Sequence, residues 1–542
     1  MRPEPTPTPS DAAPSEPAPA STTKVSDAKA PGARPRRSNG NPLAPIRPGN
    51  FGEPEARHLL WRAGFGGTPS QIRLLAEWGP EKSVDYILNY EKVAFESPKE
   101  DTFDKDIMRP PTGEERALYQ QARRAQNEDV LAQIRRARQE RERDDRRQMR
   151  DIQRWWLRRM IETPRPLEEK MTLFWHGHFA TSYRTIENSY HMYLQNQFLR
   201  KHALGNFGDL LFGIIRDPAM LAYLDNNDSR KGKANENLAR ELMELFSLGI
   251  GNYGEQDIKE GARALTGYTF EDDQFVFQRA NHDSGQKTIL GVRDNLDGDG
   301  FVRAILAHRA TAWFIPRKLY HAFVADLPPM ERGDDEGINP EARSAIRSMG
   351  DTLLANRYEI KPVLRRLFLS EHFYSPEVMG QQIKSPVQLV VGATRSLGTP
   401  VRDWNIVADA LELMGQNVFY PPSVKGWDGG RSWINTSSLF IRQNTMVFLI
   451  TGRKPHGYDA TADTQPYDPL ELLSELRSKD SGAARNPERV AQELLTLALG
   501  HAPSLATHTL VEFFQANGGR VDQANVTGAL LLISAMPEYQ LC

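Results

Sequence analysis

Ala56-Arg57-His58-Leu59-Leu60-Trp61-Arg62-Ala63-Gly64, followed by Thr68-Pro69 and then Gly79-Pro80, decides the fold class. The first run is a short helix stopped by glycine, the residue that leaves a helix most easily in a left-handed turn. Thr68 is a cap, and Pro69 stands at the first helical position, where its missing N–H is not needed. Gly79-Pro80 stops and restarts the next helix. Short helices with glycine stops recur through the chain, and from Leu167 to about residue 450 the helical pattern dominates. Only Gln274 to Gln278 and Lys287 to Leu290 have strand character, and they predict one small hairpin beside the helices. The predicted fold class is mostly α: a large multi-helix domain with a small β-hairpin element and a long charged helix.

That charged helix is read from 114–160. From Glu114 to Arg150 the chain is mostly Arg, Glu, Gln, Asp and Ala, strong helix formers without proline or glycine. Arg135, Arg136, Arg138, Arg141 and Arg143 would suit a partner-binding arm. The interleaved Glu and Asp describe a solvated face equally well. Trp155-Trp156 marks the return to the core.

With 542 residues the chain is too long for one ordinary core, which predicts two or three lobes. Residues 1–50 are rich in Pro, Ala, Ser and Thr and poor in aromatics, so they predict a disordered tail. Residues 51–450 form the helical domain. Residues 451–542 are a polar linker, Lys454 to Pro469, and a helical C-terminal extension. Lys+Arg number 68 and Asp+Glu 70, a near-balance that argues against nucleic-acid binding through bulk positive charge. No apolar run approaches the roughly 20 residues that cross a bilayer. The one cysteine, Cys542, leaves no internal disulfide and no thiolate cluster. Arg36-Arg37 is followed by no apolar stretch, so no leader is recognisable: either a cytoplasmic location is expected, or a leader lies outside this sequence.

Three constellations carry chemistry. His176 and His178 flank Gly177; in an extended segment both imidazoles would face one metal, and on a helix they would diverge by about 200 degrees. On a helix through Glu236 to Leu245, Leu238, Leu242 and Leu245 form one stripe. Asn237, Glu241 and Glu244 form another, and Glu236 pairs with Arg240. Inward carboxylates of this kind serve oxygen-ligated metals or acid–base catalysis; a solvated helix face has the same pattern. In the third, His282, Asp283 and Lys287 share a loop that could hold a ligand, a base and an anion contact. It could equally be a turn capped by Asp283. The Gly-rich stretch Pro421 to Asn435 carries Trp427 and Trp433, either to stack on a ligand or to plug the core. Asn295-Leu296-Asp297-Gly298-Asp299-Gly300 imitates an EF-hand but has Leu306 at its twelfth position, and Asp225 to Glu236 has Arg230 where glycine is required. GxxxxGK[ST], GxSxG and HExxH are absent, and no nucleotide cofactor is expected.

Seven stretches in order resemble the bacterial domain-of-unknown-function 1800 family. They are His58 to Gly66, Phe174 to Phe179, Asn235 to Leu245, Ala262 to Tyr268, His282 to Gly291, Lys384 to Val387, and Pro421 to Gly430 with Trp433 and Asn435. The resemblance implies a helical protein, often exported to the periplasm, with no activity established for the family. It also implies a partner protein, similar to phosphatases and sulfatases, encoded nearby. The missing leader and the expanded charged helix depart from the family pattern. On the residues themselves, the expected function is a metal-dependent enzyme, an oxidoreductase or hydrolase. Its divalent metal (Fe, Mn or Zn) would be held by His176, His178, Glu241 and His282, with Glu244, Asp283, Lys287 and Arg240 as catalytic or supporting groups. The alternative is a non-catalytic scaffold that binds a partner through the charged helix and the tryptophan loop.

Overall fold

The threonine cap and the glycine stops act locally as the sequence predicts. In α1 (Glu53–Arg62) the Glu55 carboxylate accepts the Gly52 N–H at 2.9 Å. Thr68 and Gln71 close a reciprocal capping box at the start of α2 (Pro69–Leu88), with distances of 3.3 and 3.0 Å. The α2 axis breaks at Gly79, φ 74°, immediately before Pro80. The computed structural model describes residues 41–96, 103–328, 337–453 and 465–542. Most of the tail expected over 1–50 and the greater part of the linker expected over 454–469 lie outside these residues.

The charged segment is not one helix. It divides into α3 (Gly113–Arg124) and α4 (Glu128–Glu162), and α3 packs on α4. Gln126 takes a left-handed φ of 48°, and the Asn127 side chain caps α4 by accepting the Val130 N–H at 3.2 Å. A polar pair does here what glycine or proline does elsewhere. The first half of α4 is solvated, with pairs such as Arg138–Glu142 and Arg147–Asp144, each at 2.9 Å. Burial begins at Asp145, which accepts from Tyr183, from the Ser189 hydroxyl and from the Ser189 N–H.

Behind this point α4 packs with α5 (Pro166–His178) and α6 (Ser189–Lys201). Glu169, fully buried on α5, joins all three helices by accepting from Arg159, Arg200 and Trp156. Next come α7 (Asn237–Glu244) and α8 (Glu255–Ala264), then two small antiparallel sheets. β1 (Tyr268–Glu271) pairs with β2 (Gln274–Phe277), and β3 (Lys287–Ile289) with β4 (Val292–Asp294). The two strands expected to form one hairpin therefore belong to two. Each pairs with its near neighbour, because closing a two-residue turn costs less chain entropy than closing the longer loop between them. The rest is again helical, including α9 (Thr311–Phe323), α10 (Pro386–Leu397), α11 (Thr436–Thr451) and α12 (Gln523–Ala535).

Both ends of the described chain are packed. Leu43 and Ile46 are buried, and the Ile46 N–H reaches the Leu369 carbonyl at 2.7 Å. α12 packs on α11, Leu541 bridges Ile383, and Arg57 of α1 donates to the Leu497 carbonyl at 3.0 Å. Among the described residues no helix is long and apolar enough to cross a membrane.

Lys170 on α5 gives a stability prediction. Its buried ammonium has no hydrogen-bond partner among the described residues and lies 5.2 Å from the centre of the Phe65 ring. Burial pushes its pKa down to about 7, below the 10.5 of an exposed lysine. The penalty is therefore complete below pH 7 and fades as pH rises towards 10.5. Lys170→Met is expected to stabilise the protein by about 2–4 kcal/mol at pH 7 and by less at pH 9.5. Urea unfolding at the two pH values measures this; a loss of stability at pH 7 would contradict it.

Candidate functional site

α5 runs through both histidines of the H-x-H pair, so their side chains leave the axis in different directions. The His176 Nε2 accepts the Phe419 N–H at 3.0 Å, which puts the ring proton on Nδ1. Its ring lies edge-on to Trp156, 5.2 Å between centres, and 5.8 Å from Trp427. His178 meets the Phe246 carbonyl through Nε2 at 3.0 Å, so that nitrogen donates and the lone pair is on Nδ1. Burial pushes both histidines down to about 3, and they are neutral at physiological pH.

α7 buries Leu238 and Leu242 and leaves Glu241 and Glu244 half-buried. Burial, followed by the neighbouring Glu244, raises the Glu241 pKa; Arg240 and Lys425 pull it back. Glu244 accepts the Tyr253 hydroxyl at 2.8 Å. Arg240 is turned to the surface, where it pairs with Glu255 at 3.0 Å and Glu236 at 3.3 Å rather than supporting a histidine.

The His282 loop satisfies itself. His282 Nδ1 lies 2.8 Å from the Thr266 carbonyl, and Asp283 receives Arg263 through two nitrogens at 2.8 and 3.3 Å. Asp283 also caps the Gly285 N–H at 2.9 Å, and the Arg263 guanidinium holds its carboxyl down at about 2. Buried Lys287 donates to the carbonyls of Asp283 and Gly285. The capped-turn alternative describes this loop. His176, His178, Glu241 and His282 are not gathered into one ligand set: among the described residues no group of three or more His, Cys, Asp or Glu is placed to hold a metal ion.

What the fold does bring together is His178, Glu244 and the tryptophan loop, around a cleft of about 440 Å³. α7 and the turn after it contribute Glu244, Leu245 and Ile250. α9 contributes Phe314, Arg317, Lys318 and His321. The loop contributes Val424, Lys425, Trp427 and Asp428. The loop is held close by glycine. A Cβ on Gly426, whose φ is +78°, would sit 2.1 Å from the Gly177 carbonyl oxygen. A Cβ on Gly177 would meet Trp427 at 3.7 Å. The H-x-H turn of α5 and the loop thus fit backbone against backbone, and this contact sets the indole at the cleft. A second cleft of about 480 Å³ beside Arg200 has most of its charges engaged: Arg200 with Glu169, Lys361 with Glu91, and Glu168 with Arg159.

Arg317, Lys318 and His321 were not singled out by sequence reasoning, since they match no motif. The available signal was three basic residues at i, i+1 and i+4 in a helix that is otherwise largely apolar, Thr311-Ala312-Trp313-Phe314-Ile315-Pro316-Arg317-Lys318-Leu319-Tyr320-His321. Arg317 is buried, and Lys318 and His321 are half-buried. The Arg317 guanidinium donates to the Pro328 carbonyl at 2.6 Å, and the Lys318 ammonium lies 5.4 Å from the centre of the Phe314 ring. His321 Nδ1 accepts the Leu327 N–H at 3.0 Å.

A family model described as "Protein of unknown function (DUF1800)" matches residues 58–541. No curated protein and no solved structure matches the chain.

Proposed function

We propose, for a chain that belongs to the DUF1800 family, that the cleft between α7, α9 and the tryptophan loop binds a small polar molecule and carries out acid–base chemistry on it. One observation carries this: carboxylates, cations and an aromatic wall, drawn from segments far apart in sequence, converge on one cavity of ligand size. Glu244 is the proton acceptor, with one oxygen held by Tyr253 and the other left for a ligand. Trp427 and Phe314 supply the apolar wall. The metal expected at His176, His178, Glu241 and His282 is not part of this proposal, because Nε2 of each H-x-H histidine already bonds the backbone and His282 is tied to Thr266.

A small-molecule thermal-shift panel tests the site with wild-type protein, Glu244→Gln and Trp427→Ala. Compounds that raise the wild-type melting temperature are expected to lose that effect in Trp427→Ala. Any turnover found is expected to fall by about 100-fold or more in Glu244→Gln, the range of one general base. Stabilisation that survives both substitutions would place the ligand elsewhere.

A further inference from the structure

Resting on the site proposed above, we infer that the ligand carries an oxyanion, a carboxylate, phosphate or sulfate group, which docks on the basic stripe of α9 and on Lys425. The stripe is a donor surface. Arg317 and Lys318 are adjacent, and His321 lies one turn further on, all lining the same cleft. His321 is fixed as a donor by its surroundings: Nδ1 accepts the Leu327 N–H, so the neutral ring carries its proton on Nε2. Burial, opposed by Asp326, lowers the His321 pKa and favours that neutral form. It therefore offers N–H to a ligand and is not a base.

Lys318 is the second observation. It is half-buried with its head beside Phe314, and burial lowers its pKa. Among the described residues no carboxylate is placed to pair with it, and the charge that acts on it from its own helix is the cation Arg317. A half-buried cation that lines a cavity without a countercharge is the arrangement an anionic ligand completes. Lys425, on the loop, brings a third cation to the rim. Among the described residues, the carboxylates lining the cleft, Glu244 on α7 and Asp428 on the loop, come from other elements than the stripe. They suit a hydroxyl or amine elsewhere on the same molecule, so the substrate class is a small hydroxy- or amino-bearing oxyanion.

The full-length protein is titrated by calorimetry with benzoate and phenyl phosphate, and with benzamide and benzyl alcohol as neutral counterparts. The expected result is that the anions bind and their neutral counterparts bind at least tenfold more weakly. Lys318→Met is expected to raise the anion dissociation constant by about tenfold or more, the range of one charge-assisted hydrogen bond. Lys318→Arg, which keeps the charge, is expected to restore most of the affinity. The relative strength of benzoate and phenyl phosphate tells a carboxylate site from a phosphate site. Equal binding of charged and neutral probes, with no effect of Lys318→Met, would overturn the oxyanion assignment and leave the cleft itself standing. Loss of binding of every probe in Trp427→Ala separates that result from failure of the cleft. Anion binding unchanged in both Lys318→Met and Lys425→Met would also overturn it.

Discussion

Replacing Glu169 by alanine is expected to lower the stability of the protein by about 3–5 kcal/mol, the range for breaking a buried charge network from one side. Glu169 is fully buried and accepts from Arg159 on α4, Arg200 on α6 and the Trp156 indole. Burial alone would push its carboxyl up, but Arg200 and then Arg159 hold it below the ordinary value. Its folded pKa is therefore depressed, so the contribution is present above the ordinary Glu pKa and is lost as pH falls through the folded value. Without the carboxylate, Arg200 is left among the described residues with Gln197 and the Trp155 face, and Arg159 retains Glu168 and the Phe95 face. Urea unfolding at pH 7 measures the loss. A change under about 1 kcal/mol would mean that solvent reaches the network and the three helices are not joined there.

Gly426→Ala is the second large effect. The new methyl would lie 2.1 Å from the Gly177 carbonyl oxygen, on a backbone with φ +78° that non-glycine residues resist. Strain and overlap together are expected to cost about 3 kcal/mol and to displace Trp427 from the cleft. Gly177→Ala is the control. Its methyl would meet Trp427 at an ordinary 3.7 Å, inside a helix where alanine is favoured, so its stability is expected to change by less than about 1 kcal/mol. Equal effects of the two substitutions would contradict the one-sided contact described here.

The fold class was legible because helix starts and stops are local: Thr68, Pro69 and Gly79-Pro80 act through their immediate neighbours. The break at Gln126-Asn127 was not, since a polar pair in a charged run carries no signal comparable to Gly or Pro. The site was half legible. Glu244 and Trp427 stood out from helical spacing and from a Gly-rich loop. His176 and His178 stood out as a pair but are held apart by the helix they share, which no two-residue spacing can show. Asp283 and Lys287 looked reactive, yet Asp283 is engaged by its own turn and by Arg263, twenty residues away, and Lys287 by two carbonyls of that turn. Arg317, Lys318 and His321 acquire meaning only when α9 is placed beside Trp427. That is a tertiary fact.

The exposed outer parts of α3 and α4, where Leu118 is 49% and Tyr119 46% exposed, keep the scaffold alternative concrete. The measurement that separates the two most directly is crystallographic fragment screening of the wild-type protein. The proposed function predicts fragments concentrated in the cleft of about 440 Å³, in contact with Trp427 and Glu244, with carboxylate-bearing fragments directed at Lys318. Fragments gathered instead on the α3–α4 surface or beside Arg200, with that cleft empty, would contradict it.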